Sequence, residues 1–418
     1  MSNHLLKHKI IHLFLITIFV QIASSANSSG SNLRSNNKEP NNRQLDTIFN
    51  EKINVLALGG SVTWGAGLSS RDLAYPSLIG KGGPYNVRNL AVRASDAYYP
   101  SLCIESLVNG DTTEYDVIIL EYSLNGFSGF PILVKRLQYR YPNAALIYMH
   151  LYSLITVCNR YNDKPWSWKK ENYFTPRPAV ERLMDSIGAY TYTFPKPDRA
   201  EDAAQYFAKD GHHISAKGHQ LIANELLHLL RQTSFEEKSG RKIDHINWGE
   251  GDQCENWFQT GKIHGKVVID FKNGDMRSML DDTGAENGKC SIEFFKPGQI
   301  NIYNRFTYGV PLYIFYMSAS EVYPITEIKF NDEVTKVDPH RAAHHVIEGI
   351  AVGWAKPGRN TIFVSPDPDS KEPFRIIGTA LFGFSHNMGL PSIKAHNVVG
   401  NRLDDKFSPK SNFHVYYP

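Results

Sequence analysis

The chain has 418 residues, of which 42% are hydrophobic and 21% are charged, so it is long enough to form two domains with separate cores. Its formal net charge is +3; removal of an amino-terminal segment that holds Lys7 and Lys9 would leave about +1 (3 − 2). This charge balance gives no support for nucleic-acid binding.

The amino terminus has the pattern of an export signal. Two lysines precede an apolar run at residues 10–23, and small residues follow up to Ala26. We predict a signal peptide over residues 1–26, cleaved near Ala26, and then a polar, flexible leader over residues 27–50. The protein should therefore be secreted or stay in the secretory pathway, without stable membrane insertion. The alternative is an uncleaved signal that anchors a type II membrane protein.

Residues 51–233 alternate short apolar runs with helical stretches. This pattern is typical of a parallel sheet covered by helices on both faces, so we predict a three-layer α/β domain. The predicted strands are Asn54–Leu58, Asn86–Val92, Val117–Tyr122, Ala145–Leu151 and Tyr190–Phe194, and the predicted helices are Ala97–Val108, Pro131–Arg140, Pro178–Ile187 and Ser215–Leu230.

The first predicted strand stops at a glycine pair, and Ser61 follows at once. Ligands of open α/β sheets lie at the carboxyl ends of the strands, so Ser61 stands where chemistry usually occurs. The glycines match neither a phosphate-binding loop nor a dinucleotide-binding motif, and Thr63 breaks the G-x-S-x-G pattern. A plain strand–turn–helix joint is the alternative.

Asp210 and His213 stand three residues apart, just before the last predicted helix. A serine is a poor nucleophile until a base takes its proton, and a histidine base works best when a carboxylate orients it. The imidazole and the carboxylate can lie side by side at this spacing. The alternative is that Asp210 caps a turn and His213 is a polar surface residue.

The composition changes after residue 233. We predict a charged linker over residues 234–245, an antiparallel β-sandwich over residues 246–388 and a polar tail over residues 389–418. The predicted strands of the sandwich are Lys266–Phe271, Ser291–Phe295, Gln299–Tyr303, Leu312–Met317, Ile325–Phe330, Ile347–Trp354, Asn360–Val364 and Phe374–Phe384.

Five tryptophans could stack on a sugar, two of them in a polar segment beside the predicted site and three in the predicted sandwich. Packing inside the protein is the alternative for each of them. They are Trp166, Trp168, Trp248, Trp257 and Trp354.

Four cysteines in an exported chain permit disulfides. Cys254 and Cys290 fall in the same later region and could form a pair. Cys103 lies in a predicted helix and Cys158 in a predicted loop, and both could instead be buried free thiols. No closely spaced Cys/His set indicates a zinc site, so we expect no metal.

Four blocks of this sequence, by their order and spacing, resemble those of the SGNH (GDSL-like) hydrolases. The resemblance covers about Asn54 to Leu230, and the D-x-x-H block is its most specific part. It implies a flavodoxin-like fold and serine ester hydrolysis or acyl transfer without a metal or other cofactor. The blocks are LALGGSVTWGAG, NLAVRAS, VIILEYSLNG and DGHHISAKGHQLIANELL.

The resemblance also implies a role for each matching residue. Ser61 would be the nucleophile, His213 the general base and Asp210 its orienting partner. The oxyanion hole would consist of the backbone N–H groups of Ser61 and Ala94 and the side chain of Asn125, all aimed at the charge of the tetrahedral intermediate.

Three positions depart from the family's blocks. Gly60 stands where an aspartate usually precedes the nucleophile, Ala94 where the second block usually has glycine, and Gly126 where the third block commonly has aspartate. A weakened or lost activity is therefore an alternative to a working esterase.

An exported SGNH domain joined to a β-sandwich resembles esterases that remove acetyl groups from polysaccharides. We therefore expect a secreted serine esterase that acts on a small acyl ester or an acetylated polysaccharide. The alternatives are a non-catalytic glycan- or protein-binding module on the same scaffold, and an O-acetyltransferase.

Overall fold

The computed structural model describes residues 52–108, 110–159, 165–232, 251–263, 267–280, 286–319, 323–340 and 345–383. The predicted signal peptide (1–26), leader (27–50), linker (234–245) and tail (389–418) lie outside the described residues, as does Trp248. Within the described ranges, no helix is long and apolar enough to cross a membrane.

The first part of the chain forms a parallel five-stranded sheet. Its strands are β1 (Ile53–Gly59), β2 (Tyr85–Asn89), β3 (Val117–Glu121), β4 (Ala145–His150) and β7 (Tyr190–Thr193). They lie in the order β2-β1-β3-β4-β7. Strands β3 and β4 are buried along their whole length, because helices cover both faces of the sheet.

The helices of this part form one layer on each face of the sheet. Ile79 and Ile222 belong to the apolar core on one face, and Ile104 and Leu137 to the core on the other. The predicted three-layer α/β fold is therefore confirmed. The helices are α1 (Ser61–Trp64), α2 (Tyr75–Lys81), α3 (Tyr98–Val108), α4 (Phe130–Arg140), α5 (Leu154–Val157), α6 (Pro178–Ser186), α7 (Ala200–Ala204) and α8 (Ala216–Gln232).

A pair of short strands and two 3-10 turns complete the described elements of this part. A small antiparallel pair is formed by β5 (Cys158–Asn159) and β6 (Ser167–Trp168). Single 3-10 turns cover Arg71–Leu73 and Glu171–Tyr173. The sequence predicts none of these, because two or three residues carry no periodic pattern.

The second part of the chain is a sandwich of two antiparallel sheets, as predicted. One sheet has the order β10-β11-β18-β13-β16, with β8 also paired to β18; the other has the order β15-β14-β17-β12-β9. The strands are β8 (Gly251–Asn256), β9 (Val268–Lys272), β10 (Asp275–Leu280), β11 (Glu286–Phe294), β12 (Gly298–Asn304), β13 (Val310–Ser318), β14 (Thr326–Phe330), β15 (Glu333–Val337), β16 (Val346–Ala355), β17 (Gly358–Pro366) and β18 (Phe374–Gly383).

The two sheets of the sandwich differ in how they are covered. Strand β14 alternates between buried and exposed residues, as expected for a sheet with one face in solvent. Strand β13 is buried at all nine positions. The outward face of this sheet packs on the α/β part. There Phe315 of β13 and Ile377 of β18 share an apolar core with Val92 and Leu102. The two parts therefore share a hydrophobic layer.

A disulfide joins the two parts. It links Cys103 in α3 to Cys254 in β8, which are 151 residues apart in the chain. The predicted pairing of Cys254 with Cys290 is therefore wrong, because β8 packs against α3 and brings the distant Cys103 to Cys254. Among the described residues, neither Cys290 nor Cys158 takes part in a disulfide.

A buried ion pair lies beside this disulfide. Helix α3 is broken at Cys103 (φ −118°, ψ 20°), so the N–H groups of the next turn lose their helical acceptors. The N–H groups of Glu105 and Ser106 each donate to the Asp252 carboxylate at 2.9 Å. Arg136 also donates to Asp252, at 2.9 Å, and these two side chains are 2% and 0% exposed. Asp252 of the sandwich thus caps a helix of the α/β part.

Four of the five candidate tryptophans lie in the described residues, and their surroundings differ. Trp257 is fully buried and donates to the Ile376 carbonyl at 3.0 Å, so packing inside the protein applies to it and not contact with a sugar. Trp166 and Trp168 pack against the core of the α/β part, which agrees with the packing alternative. Only Trp354, 49% exposed, presents a large open ring surface among these four.

Candidate active site

Ser61 lies at the carboxyl edge of the parallel sheet. Strand β1 ends at Gly59, and Ser61 is the first residue of α1. The first N–H groups of a helix have no acceptor within it, so the Ser61 N–H is free of the helix ladder. Gly65 ends α1 in the left-handed conformation (φ 97°) and donates to the Ser61 carbonyl at 3.0 Å. The serine is therefore held in a tight strand–turn–helix joint.

The structure brings Ser61, His213 and Asp210 together in one chain of hydrogen bonds. The Ser61 Oγ atom lies 3.0 Å from His213 Nε2. On the other side of the ring, His213 Nδ1 lies 2.6 Å from Asp210 Oδ2. Nucleophile, base and orienting carboxylate are therefore in reach of one another, as proton transfer from the serine requires.

The Asp210 carboxylate is fixed by further donors. Its Oδ1 atom accepts the backbone N–H groups of His212 and His213, each at 2.9 Å. Partial burial raises the pKa of Asp210, but the hydrogen bonds from His213 and from these two N–H groups outweigh it and hold the pKa below its ordinary value. An ionised Asp210 keeps the proton of His213 on Nδ1 and leaves Nε2 to accept from Ser61.

A tight turn positions His213. The Ala208 N–H donates to the His213 carbonyl at 2.8 Å, and the Gly211 N–H donates to the Ala208 carbonyl at 2.9 Å. Gly211 adopts φ 64°, which favours glycine. Its carbonyl accepts the Ile155 N–H at 3.2 Å, so α5 holds the turn from outside.

The residues predicted to form the oxyanion hole lie around the Gly60–Ser61 turn. Asn125 Nδ2 donates to the Ser95 carbonyl at 2.8 Å, next to Ala94. A β-carbon added to Gly60 would lie 2.1 Å from Asn125 Nδ2 and 3.3 Å from the Ser95 carbonyl oxygen. The second and third sequence blocks therefore meet beside the serine, where the charge of a tetrahedral intermediate would develop.

The three departures from the SGNH blocks have local explanations. Gly60 leaves room for the amide of Asn125. Gly126 has φ 130°, in the region that favours glycine, and an added β-carbon would lie 3.6 Å from Asp96 Cβ. Ala94 has φ 59° and so adopts the left-handed conformation that a glycine would adopt freely.

A buried polar cluster that the sequence analysis missed lies under the serine turn. The Thr63 hydroxyl donates to Glu121 Oε2 at 3.2 Å and lies 3.0 Å from the Tyr75 hydroxyl. Glu121 is 2% exposed. Burial raises its pKa to about 7, although the hydrogen bond from Thr63 opposes this. The sequence signal is a glutamate that ends the apolar run VIILE.

His219 in α8 lies next to this cluster. Its Nδ1 atom accepts the Tyr75 N–H at 3.2 Å, and its Nε2 atom is buried with no partner among the described residues. Burial and, secondarily, the charge of His213 lower the pKa of His219 to about 3. A neutral ring with Nδ1 as acceptor follows. The described ranges contain no group of three or more His, Cys, Asp or Glu residues that could hold a metal ion.

Comparison with known proteins gives likeness in structure only. No protein-family model matches the chain, and no curated protein matches it. A two-domain esterase active on acetylated mannans aligns with a TM-score of 0.51 and 13% identity, over 82% of this chain and 95% of the esterase. The same kind of esterase crystallised with mannopentaose aligns with a TM-score of 0.50 and 14% identity, over 82% and 94%. A proposed SGNH hydrolase from Slackia heliotrinireducens covers 43% of this chain and 99% of its own, with a TM-score of 0.33 and 16% identity.

The chain has the fold of this two-domain esterase. At these identities the likeness establishes the architecture, an α/β domain followed by antiparallel sheets, and gives no roles to individual residues. The esterase that aligns over 82% of this chain is active on acetylated mannans. The grouping of Ser61, Asp210 and His213 as a candidate site therefore depends on the distances given above.

Proposed function

We propose that this protein is a serine esterase that removes O-acetyl or similar small acyl groups from carbohydrate. The observation that carries the proposal is the hydrogen-bonded chain from Ser61 Oγ through the His213 ring to Asp210, at 3.0 Å and 2.6 Å. Side chains in this order are what a serine nucleophile needs, because neither the hydroxyl nor the imidazole works alone.

In the acylation step, His213 Nε2 takes the proton of Ser61 as Oγ attacks the ester carbonyl. The carbonyl oxygen becomes an oxyanion, which would accept hydrogen bonds from the Ser61 N–H, the Ala94 N–H and Asn125 Nδ2. His213 then gives its proton to the oxygen of the departing sugar. The C–O bond of the ester breaks, and the acyl group stays on Ser61.

In the deacylation step, His213 takes a proton from a water molecule that attacks the acyl carbon. The oxyanion forms and collapses in the same hole, the bond to Ser61 Oγ breaks, and His213 returns the proton to Oγ. The products are the carboxylic acid and the free serine. The imidazole must be neutral to take a proton in each of the two steps.

Two observations support carbohydrate as the carrier of the acyl group. The esterases that align over 82% of this chain act on acetylated mannans or were crystallised with mannopentaose. The His213 and Asp210 side chains are 25% and 48% exposed, so an ester on a long chain could approach the serine from solvent. The export signal predicted from the sequence agrees with an extracellular polysaccharide, and secretion is part of this proposal.

The first test is hydrolysis of p-nitrophenyl acetate by the mature protein and by Ser61→Ala, each also treated with a fluorophosphonate probe. We expect turnover and labelling in the wild type and neither in Ser61→Ala. Ser186→Ala, a serine at the far end of α6, is the matched control and should keep both. Acetate release from acetylated mannan then tests the substrate class.

The outcomes separate the candidate functions. A folded wild type that neither hydrolyses the ester nor takes the label would contradict the esterase and favour a binding module. Transfer of acetyl groups to added sugar in excess over hydrolysis would instead identify an acetyltransferase with the same acyl-enzyme.

A further inference from the structure

The segment from Ala91 to Ser95 is held by the β-sandwich on one side. The side-chain amide of Gln259, which follows β8, pairs with the backbone of this segment. Its Oε1 atom accepts the Arg93 N–H at 2.9 Å, and its Nε2 atom donates to the Ala91 carbonyl at 3.3 Å. The two bonds flank Val92, so they fix the backbone directly before Ala94. A side chain from residue 259 thus holds a segment 166 positions earlier.

The strand β16 holds the same segment on its other side. The Ile347 N–H donates to the Ala94 carbonyl at 2.8 Å, and Ser95 pairs with Ile347 in a parallel bridge. Ala94, Val92 and Ile347 are also buried in the apolar layer that the two parts share. The Ala94 peptide is therefore fixed by main-chain bonding and by packing from the second domain.

These contacts matter because Ala94 adopts a conformation that alanine disfavours. Its φ is 59°, and a left-handed residue other than glycine costs about 1–2 kcal/mol. Such a conformation persists only where the surroundings impose it. The contacts from Gln259 and Ile347 bracket Ala94 and supply this restraint. A glycine at position 94 would adopt the same conformation without it.

The segment also connects the other parts of the site. The Ser95 carbonyl accepts from Asn125 Nδ2 at 2.8 Å, so the position of this amide depends on the same backbone. The Arg93 guanidinium lies 4.2 Å from the Trp64 ring centroid, at the end of the helix that begins with Ser61, and 5.9 Å from that of Phe258. A shift of the segment from Ala91 to Ser95 would therefore move two of the proposed oxyanion donors, the Ala94 N–H and Asn125 Nδ2.

We infer that the β-sandwich is a working part of the active site and that Gln259 is a positioning residue for the oxyanion hole. This inference rests on the proposed esterase function. Gln259 does not touch the reacting atoms; it holds the peptide that precedes Ala94 so that the Ala94 N–H and Asn125 Nδ2 face the developing charge. The second domain thus contributes to the rate of the chemical step, whatever it contributes to substrate binding.

The test is Gln259→Met, which keeps the length of the side chain and removes both hydrogen bonds. We expect kcat for p-nitrophenyl acetate to fall about ten-fold, a part of the 10²–10³-fold that loss of an oxyanion donor costs, while KM changes less than about two-fold. Inhibition by a boronic acid, which forms a tetrahedral adduct with the serine, should weaken by a similar factor. Hydrogen exchange of the amides in residues 91–96 should become faster.

Ser106→Ala is the matched control. It also removes side-chain hydrogen bonds between the two parts, but these bonds are to Asp252 and to the Cys254 N–H and not to residues 91–95. This variant should keep the wild-type kcat and boronate affinity. If Gln259→Met does not fold, Gln259→Glu keeps an acceptor for the Arg93 N–H, loses the donor to the Ala91 carbonyl, and should also lower kcat.

Three results would overturn the inference. A folded Gln259→Met protein with wild-type kcat, boronate affinity and hydrogen exchange contradicts it while leaving the esterase function intact. Equal losses in Gln259→Met and Ser106→Ala would show a general effect of interface stability instead. A wild type without esterase activity or serine labelling contradicts the proposed function, and this inference with it.

Discussion

The Nδ2 atom of Asn125 occupies the space beside Gly60 that a side chain at position 60 would need, since a β-carbon there would lie 2.1 Å from it. The aspartate that usually precedes the nucleophile in SGNH blocks is therefore incompatible with Asn125 in its present position. Gly60 and Asn125 form a matched pair, in which the absence of one side chain makes room for a proposed oxyanion donor.

This pairing predicts the effect of Gly60→Ala. Gly60 has φ −88°, which alanine also adopts, and the atom in the way is the far end of a flexible side chain, so the fold should survive. The displaced Asn125 would no longer face the oxyanion, and kcat should fall about 10²–10³-fold. Steady-state kinetics and thermal unfolding of the same preparation measure the two effects.

Asn125→Ala is the control for this prediction. It should cause a similar loss, and the double variant Gly60→Ala/Asn125→Ala should be no slower than either single variant, because both remove the same donor. A Gly60→Ala protein with wild-type kcat would show that Asn125 is dispensable at its present position.

The second prediction concerns Asp210→Asn. Oδ1 of Asp210 already accepts two backbone N–H groups, so an asparagine would keep its oxygen there and turn its NH₂ group toward His213 Nδ1. The ring would then carry its proton on Nε2 and could not accept from Ser61. We expect kcat to fall about 10³–10⁴-fold with the fold retained, as a wrong tautomer would cause. A loss of less than about ten-fold would contradict the orienting role.

The local parts of this structure could be predicted from the sequence. The alternation of apolar runs and helical stretches predicts the three-layer fold, because strands and helices differ in the period of their buried residues. The position of Ser61 after β1, and the spacing of Asp210 and His213, follow from neighbouring residues alone. The structure brings these three side chains together as that reasoning expects.

The contacts between distant parts could not be predicted. Cys103 pairs with Cys254 because β8 packs on α3, and nothing in the spacing of four cysteines selects that pairing. The role inferred for Gln259 depends on the same packing, since a glutamine after a strand has no sequence signature. Trp257 has an aromatic ring suited to a sugar, but the fold buries it completely.

The third prediction concerns the disulfide. Peptide mapping under non-reducing conditions should give the Cys103–Cys254 cross-link. The double variant Cys103→Ala/Cys254→Ala should lower the free energy of unfolding by about 3–5 kcal/mol, because the bridge closes a loop of about 150 residues in the unfolded chain. Cys290→Ser, which changes a cysteine outside this disulfide, is the control. A cross-link between Cys254 and Cys290 would refute the pairing.

The fourth prediction concerns the ion pair between Arg136 and Asp252. Both side chains are almost completely buried, so Asp252→Ala would leave the guanidinium without its carboxylate and two N–H groups of α3 without acceptors. We expect a loss of about 3–5 kcal/mol in the free energy of unfolding, measured with urea. Asp252→Asn keeps an oxygen that can accept one of those two N–H groups and should cost less. Equal costs for both variants would show that the helix-capping bonds contribute little.

The fifth prediction concerns pH and the buried Glu121. Its pKa is about 7 in the folded protein and about 4.5 in the unfolded chain. Between these values the folded state holds a proton that the unfolded state has released, so this group lowers the free energy of unfolding as pH rises from about 4.5 to about 7, with no further change above that. At about 1.4 kcal/mol for each pKa unit, the effect approaches about 3 kcal/mol.

Glu121→Gln should remove this dependence, because the amide does not titrate. We subtract the free energy of unfolding of the wild type from that of the variant at each pH. This difference should increase by up to about 3 kcal/mol between pH 4.5 and pH 8. Urea unfolding of both proteins at each pH measures it. Other groups, including His219 with its lowered pKa, titrate in both proteins and cancel in the difference. A difference that does not vary with pH would mean that Glu121 has the same pKa in the folded and the unfolded protein, and that burial does not raise it.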